Sequence, residues 1–161
     1  MDATDQSTDL QVLLVEDNPF HLRMVRAMLA EAVPGAGVVE AGTMAAAVEH
    51  LDAAVPDCVL LDLMLPDARG SEAVAAVAAA APEVPIVVLS AHDDADLERE
   101  ALAAGARHYL VKGVATVGDL RAAVTLAVGR VTVDTTIATG VSIGARWTSE
   151  PEGSDVVVSV A

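Results

Sequence analysis

The chain has 161 residues, with 24 Asp and Glu against 9 Lys and Arg, a formal net charge of −15 and 53% apolar residues. That length accommodates one ordinary domain with its own core and excludes two of typical size, while the charge opposes nonspecific attraction to nucleic acid or anionic lipid. The apolar runs are too short and interrupted to cross a bilayer, and the acidic opening MDATDQSTDL lacks the basic, then apolar, start of a signal peptide, so a cytoplasmic protein is expected.

Residues 1–8 read as an acidic N-terminal segment, 9–130 as one domain and 131–161 as a C-terminal tail. Within the domain, β-rich apolar runs recur as LQVLLV (10–15), GVVEA (37–41), DCVLL (57–61), VPIVVLS (84–90) and RHYLV (107–111). A helical pattern follows each, over 19–32, 43–54, 71–81, 93–104 and 116–130. The first puts Leu22, Val25 and Leu29 on one face, and Asn18 before Pro19 is a cap followed by a proline at the first helical position. The alanine-rich EAVAAVAAAAPE reads as a helix, because Ala has the highest helix propensity. Gly105 suits a helix C-cap. Near-continuously apolar strands alternating with helices predict an α/β fold: a doubly wound, five-stranded parallel sheet with helices on both faces, flavodoxin-like, with a short β-leaning tail.

In such sheets ligands bind beyond the carboxyl ends of the strands. Those positions carry Glu16 and Asp17 after the first strand, Asp62 after the third, Ser90 after the fourth and Lys112 after the fifth. Clustered carboxylates are costly unless a cation neutralises them, and oxygen ligands with room for water suit Mg²⁺. Such an ion completes its shell with phosphate oxygens, for which Lys112 offers a point charge and Ser90 a hydroxyl. An aspartate can itself be the nucleophile that takes a phosphoryl group, and Asp62, facing the pair that would ligate metal, is the candidate. Lys112 is the chain's single lysine. Taken singly, Asp17, Asn18 and Ser90 could each be helix caps, Asp62 a loop carboxylate, Lys112 a solvated strand-end charge and Tyr109 a core aromatic.

The stretches LLVEDNP, VLLDLMLPDARG, VVLSAHDD and AGARHYLVKG, in this order and spacing, resemble the receiver domain of two-component response regulators over roughly residues 9–130. The resemblance implies that Glu16 and Asp17 are the acidic pair of a Mg²⁺ site, with Asp62 and the backbone carbonyl of Met64 completing it, and that Asp62 is the phosphoacceptor. It assigns phosphate binding to Ser90 and Lys112, switching to Ser90 and Tyr109, and tuning of dephosphorylation to Met64 and His92. It also implies a non-enzymatic signalling role, with a histidine kinase or phosphotransfer protein as donor, a downstream protein target, and a dimer face on the fourth helix, fifth strand and fifth helix. The family usually follows its lysine with a proline in a cis peptide, whereas Gly113 stands here.

A flavin- or nucleotide-binding module on the same fold would place a phosphate at the first helix N-terminus, yet EDNPF presents two anions and a proline without an N–H. A phosphatase resembling the Asp-x-Asp type would need a carboxylate where Met64 stands. A receiver fragment of a larger sensor or output protein is the remaining alternative. Cys58, the single cysteine, reads as a small buried hydrophobe. His21, His50 and His108 lack ligand-like clustering and are not assigned to metal. The tail alternates as VTVDTTI and DVVVSVA, faintly resembling a paired-strand piece of a sensor kinase ATPase-like domain, and neither it nor the net charge suggests DNA binding.

Overall fold

A computed structural model describes residues 10–129; the acidic N-terminal segment and the predicted tail strands lie outside the described residues. Five strands alternate with five helices: β1 (Gln11–Val15), α1 (Pro19–Ala32), β2 (Gly37–Ala41), α2 (Met44–Ala53), β3 (Cys58–Leu61), α3 (Ser71–Ala80), β4 (Ile86–Ser90), α4 (Ala95–Ala104), β5 (His108–Val111) and α5 (Val117–Val128). All pairings are parallel and the sheet order is β2-β1-β3-β4-β5. The chain steps one way from β1 to β2 and the other way from β3 onward, so the order reverses between the neighbours β1 and β3. In open parallel sheets ligands bind at such a switch point, beyond the carboxyl ends of the strands.

The predicted fold class holds, and the elements run slightly shorter than expected for local reasons. Pro85 has no N–H to give to a ladder, so β4 starts at Ile86, although the Pro85 carbonyl still accepts from Val59 N at 2.9 Å. Thr43, Asp94 and Thr116 stand outside their helices as N-caps, each accepting first-turn N–H groups on its side chain. Asn18 does the same for α1, accepting from Phe20 N and His21 N with Pro19 as the first helical residue. Gly105 closes α4 at φ +125°, in the region that favours glycine.

Helices α1 and α5 pack together on one face, while α2, α3 and α4 cover the other. Every residue of β3 and β4 is buried, which explains why their sequences read as unbroken apolar runs rather than alternating ones. Leu13, Val15, Val59, Leu61 and Val88 point into the α2–α4 core, and Leu14, Leu60, Val87 and Leu89 into the α1/α5 core with Val25 and Leu29. Each fully buried Leu or Val contributes about 1.5–3 kcal/mol, so the two packed faces fix strand positions firmly.

Candidate functional site at the carboxyl edge

The ladder continues one residue past the strands and carries the polar residues with it. Glu16 N donates to Ala41 O at 3.0 Å, Asp62 N to Val15 O at 3.0 Å and Lys112 N to Ser90 O at 2.7 Å. Glu16, Asp62 and Lys112 are thus each pinned by a backbone hydrogen bond to a neighbouring strand. Ser90 is itself the last residue of β4.

From these anchors the side chains converge. Carboxylate oxygens of Glu16, Asp17 and Asp62 lie within 4.8 Å of one another. Glu16 and Asp62 are buried, at 2% and 6% exposure, while Asp17 is exposed. The Lys112 ammonium, on a side chain only 5% exposed, hydrogen-bonds Glu16 and lies 3.3 Å from an Asp62 oxygen. Part of the repulsion expected among the acids is therefore relieved inside the chain. One ammonium against three carboxylates still leaves two negative charges, and oxygen donors of this kind fit a hard divalent cation such as Mg²⁺. Met64 is two residues beyond Asp62, in a loop folded back on itself by a Met64–Arg69 bridge and by Gly70 N donating to Leu63 O at 2.7 Å. Its side chain is exposed at the mouth of that loop.

Ser90, wholly buried, accepts on its hydroxyl from His92 N at 3.1 Å and does not cap α4, a task that falls to Asp94. Tyr109 is also buried, and its hydroxyl donates to His92 O at 2.7 Å. Burial, helped by the carboxylates of Asp94, Glu98 and Asp93, pushes the phenol above its ordinary range, against the opposing hydrogen bond to Ser90. Ser90, His92 and Tyr109 are thereby linked through one short backbone segment, while the His92 side chain is exposed. Gly113 adopts φ +81°, and every peptide bond among the described residues is trans.

Two residues escaped the sequence reading. His21, set aside for want of clustering, has Nδ1 3.4 Å from Lys112 Nζ and 3.8 Å from a Glu16 oxygen. The usable signal was its place as third residue of α1 after a firm Asn18 cap, because helical side chains lean back toward the N-terminus and so toward the end of β1. Asp67 accepts from Met44 N at 2.8 Å and Ala45 N at 3.0 Å, clamping the loop after Asp62 to the start of α2, and those hydrogen bonds hold its carboxyl below the usual range. His50 and His108 are not members of the acidic cluster, and Cys58 is buried with its thiol pushed up to about 12, chiefly by loss of solvent.

Comparison with known proteins agrees with this geometry. The chain is 41% identical over 71 residues to the luminescence regulatory protein LuxO of Vibrio campbellii, covering 44% of this chain and 16% of LuxO. It is 37% identical over 129 residues to the transcriptional regulatory protein PdtaR of Mycobacterium tuberculosis, covering 78% of this chain and 60% of PdtaR. It therefore spans only part of the length of these relatives. Among solved structures, the receiver domain of the sensor histidine kinase PA1611 from Pseudomonas aeruginosa, which holds a magnesium ion in its active site cleft, superposes with a TM-score of 0.66 at 29% identity, over 74% of this chain and 98% of that one. The signal receiver domain of the response regulator NarL from Mycobacterium tuberculosis gives 0.67 at 30% identity, over 75% and 97%. The family profile for the response regulator receiver domain matches residues 12–125, the stretch that builds the sheet and brings the acidic cluster, Ser90 and Lys112 to its carboxyl edge. With sheet order, strand-end chemistry and profile in agreement, the chain belongs to the response regulator receiver domain family of two-component signalling.

Proposed function

We propose that this domain takes a phosphoryl group on Asp62 from the phosphohistidine of a histidine kinase or phosphotransfer protein. The observation that carries the reading is the meeting of Glu16, Asp17 and Asp62 within 4.8 Å, with Lys112 bridging Glu16 and Asp62. In the transfer an Asp62 oxygen attacks phosphorus, the P–N bond breaks, and its electron pair leaves on the donor imidazole. Glu16, Asp17 and Asp62, with the Met64 carbonyl, are the residues that would hold Mg²⁺, which when bound neutralises the oxygens of the transferred group. Lys112 trades its Asp62 contact for the phosphoryl oxygens, and Ser90 turns its hydroxyl toward them.

Because Ser90 and Tyr109 meet at the His92 backbone, a turn of Ser90 disturbs the segment that Tyr109 holds. That supports a switch whose readout is the surface of α4, β5 and α5, available to a protein target or a second copy. Met64 and His92 are both exposed, each two residues beyond Asp62 or Ser90, which supports a role for them in water access and hence in the lifetime of the acyl phosphate. The net charge of −15 supports output through protein contacts rather than DNA. Likeness to the PA1611 receiver also favours a second reading, in which the domain serves as one unit of a larger signalling protein. Among the described residues no helix is long and apolar enough to cross a membrane.

The test is incubation with a small acyl-phosphate donor and Mg²⁺, followed by mass analysis. A gain of one phosphoryl group, absent in Asp62→Asn and without Mg²⁺, is expected; equal labelling of Asp62→Asn overturns the assignment.

A further inference from the structure

We propose that His21 is a positioning residue for Lys112, holding its ammonium over the Glu16 and Asp62 carboxylates where the phosphoryl group arrives. The proposal rests on the phosphoacceptor reading above and adds to it a residue on a different element, the first turn of α1.

An ammonium has three N–H donors and no acceptor. Glu16 takes a hydrogen bond from Lys112, Asp62 lies at 3.3 Å and His21 Nδ1 at 3.4 Å. Two of these contacts are hydrogen bonds and the Asp62 contact is an ion pair, so the ammonium is met on three sides. Since Lys112 can only donate, a hydrogen bond between them requires Nδ1 to accept. The Glu16 oxygen 3.8 Å from Nδ1 is too far to compete as a hydrogen-bond partner. The Phe20 ring meets the imidazole edge-on, with centroids 6.0 Å apart.

The geometry gives His21 a role that neither carboxylate can fill. When the phosphoryl group forms on Asp62, Lys112 must exchange its Asp62 contact for phosphoryl oxygens without withdrawing along Glu16. A neutral acceptor on the third donor steadies the ammonium through that exchange and adds no further negative charge to an already crowded edge. An acidic residue at position 21 would add a fourth carboxylate, and an aliphatic one would leave a donor of a nearly buried ammonium unmet.

The chain offers an unusually direct probe, because Lys112 is its single lysine. The intact protein therefore shows one side-chain ammonium resonance by NMR. His21→Ala should shift or broaden that resonance and slow Mg²⁺-dependent labelling of Asp62 by about tenfold, the scale of a modest misplacement of a catalytic group, with Mg²⁺ affinity unchanged. His21→Gln, which restores a neutral acceptor, should recover both. An unmoved resonance in His21→Ala overturns the contact. A moved resonance with wild-type labelling rate overturns the positioning role, as does an equal loss in His21→Gln. Because the resonance is read on unphosphorylated protein, failure of the contact is distinguishable from failure of Asp62 to accept a phosphoryl group.

Discussion

The two edges of the sheet are built from the same strands and treat charge in opposite ways. At the amino edge Asp57 accepts from Gln11 N at 2.8 Å, and an Arg107 guanidinium donates to Ala127 O, the end of α5. Charges there satisfy backbone groups at the surface, one at a time. At the carboxyl edge stand Glu16, Asp62 and Ser90, which are all the buried polar residues among the described residues, together with the nearly buried Lys112. Burial of charge costs several kcal/mol per ion unless it is paired, so the domain bears this cost on one edge alone. The contrast sets charges that hold the fold together apart from the cluster proposed to take the phosphoryl group.

The sharpest break of that contrast is Asp62→Asn, which is expected to abolish acyl-phosphate labelling while leaving the melting transition in place; labelling is read by intact mass. Next comes Lys112→Met. It strands the Glu16 carboxylate in a buried place, and in metal-free buffer it should destabilise the domain by about 3–5 kcal/mol, the cost of breaking a buried pair. Denaturant titration would show most of that loss recovered in the Glu16→Gln, Lys112→Met double variant, whereas a simple sum of two losses would mean the pair is not coupled.

Asp17 is the exposed member of the cluster, so Asp17→Ala should leave metal-free stability equal or higher while weakening Mg²⁺ binding by about tenfold or more, the range seen when support to a metal is lost. Isothermal titration checks it. At the opposite end of β3, Cys58 provides a pH test. Its thiol is raised from about 9 to about 12 in the folded chain, so above that lower value the unfolded state has released a proton that the folded state keeps. Stability should fall as pH rises from about 9 toward 12, by up to about 1.4 kcal/mol per pH unit for one group. Tyr109, also raised, adds to the loss above about 10, and Cys58→Ala should leave only that later decline. The smallest effect belongs to Asp57→Ala, expected to cost about 1 kcal/mol for one hydrogen bond and to leave the rate of Asp62 labelling unchanged; a changed rate would dissolve the distinction between the edges.

Much of this domain could be read from the order of residues along the chain. The βα rhythm, the all-buried character of β3 and β4, the caps at Asn18 and Gly105 and the carboxylates just past β1 and β3 are properties of short segments, set by periodicity and by what a strand end exposes. Strand ends in a parallel sheet all face one edge, so placing Glu16, Asp17, Asp62, Ser90 and Lys112 together needed no knowledge of distance. Partner choice within that edge was a different matter. Glu16 and Lys112 are 96 residues apart, His21 reaches Lys112 across 91, and Asp67 caps α2 from 23 residues downstream. Whether Lys112 bonds a carboxylate or waits in solvent, and whether a histidine on α1 leans into the site or away, depends on ångström-scale placement of helices against the sheet. Only tertiary packing decides that, because a hydrogen bond forms over a few tenths of an ångström while a sequence pattern specifies no more than a face or an edge.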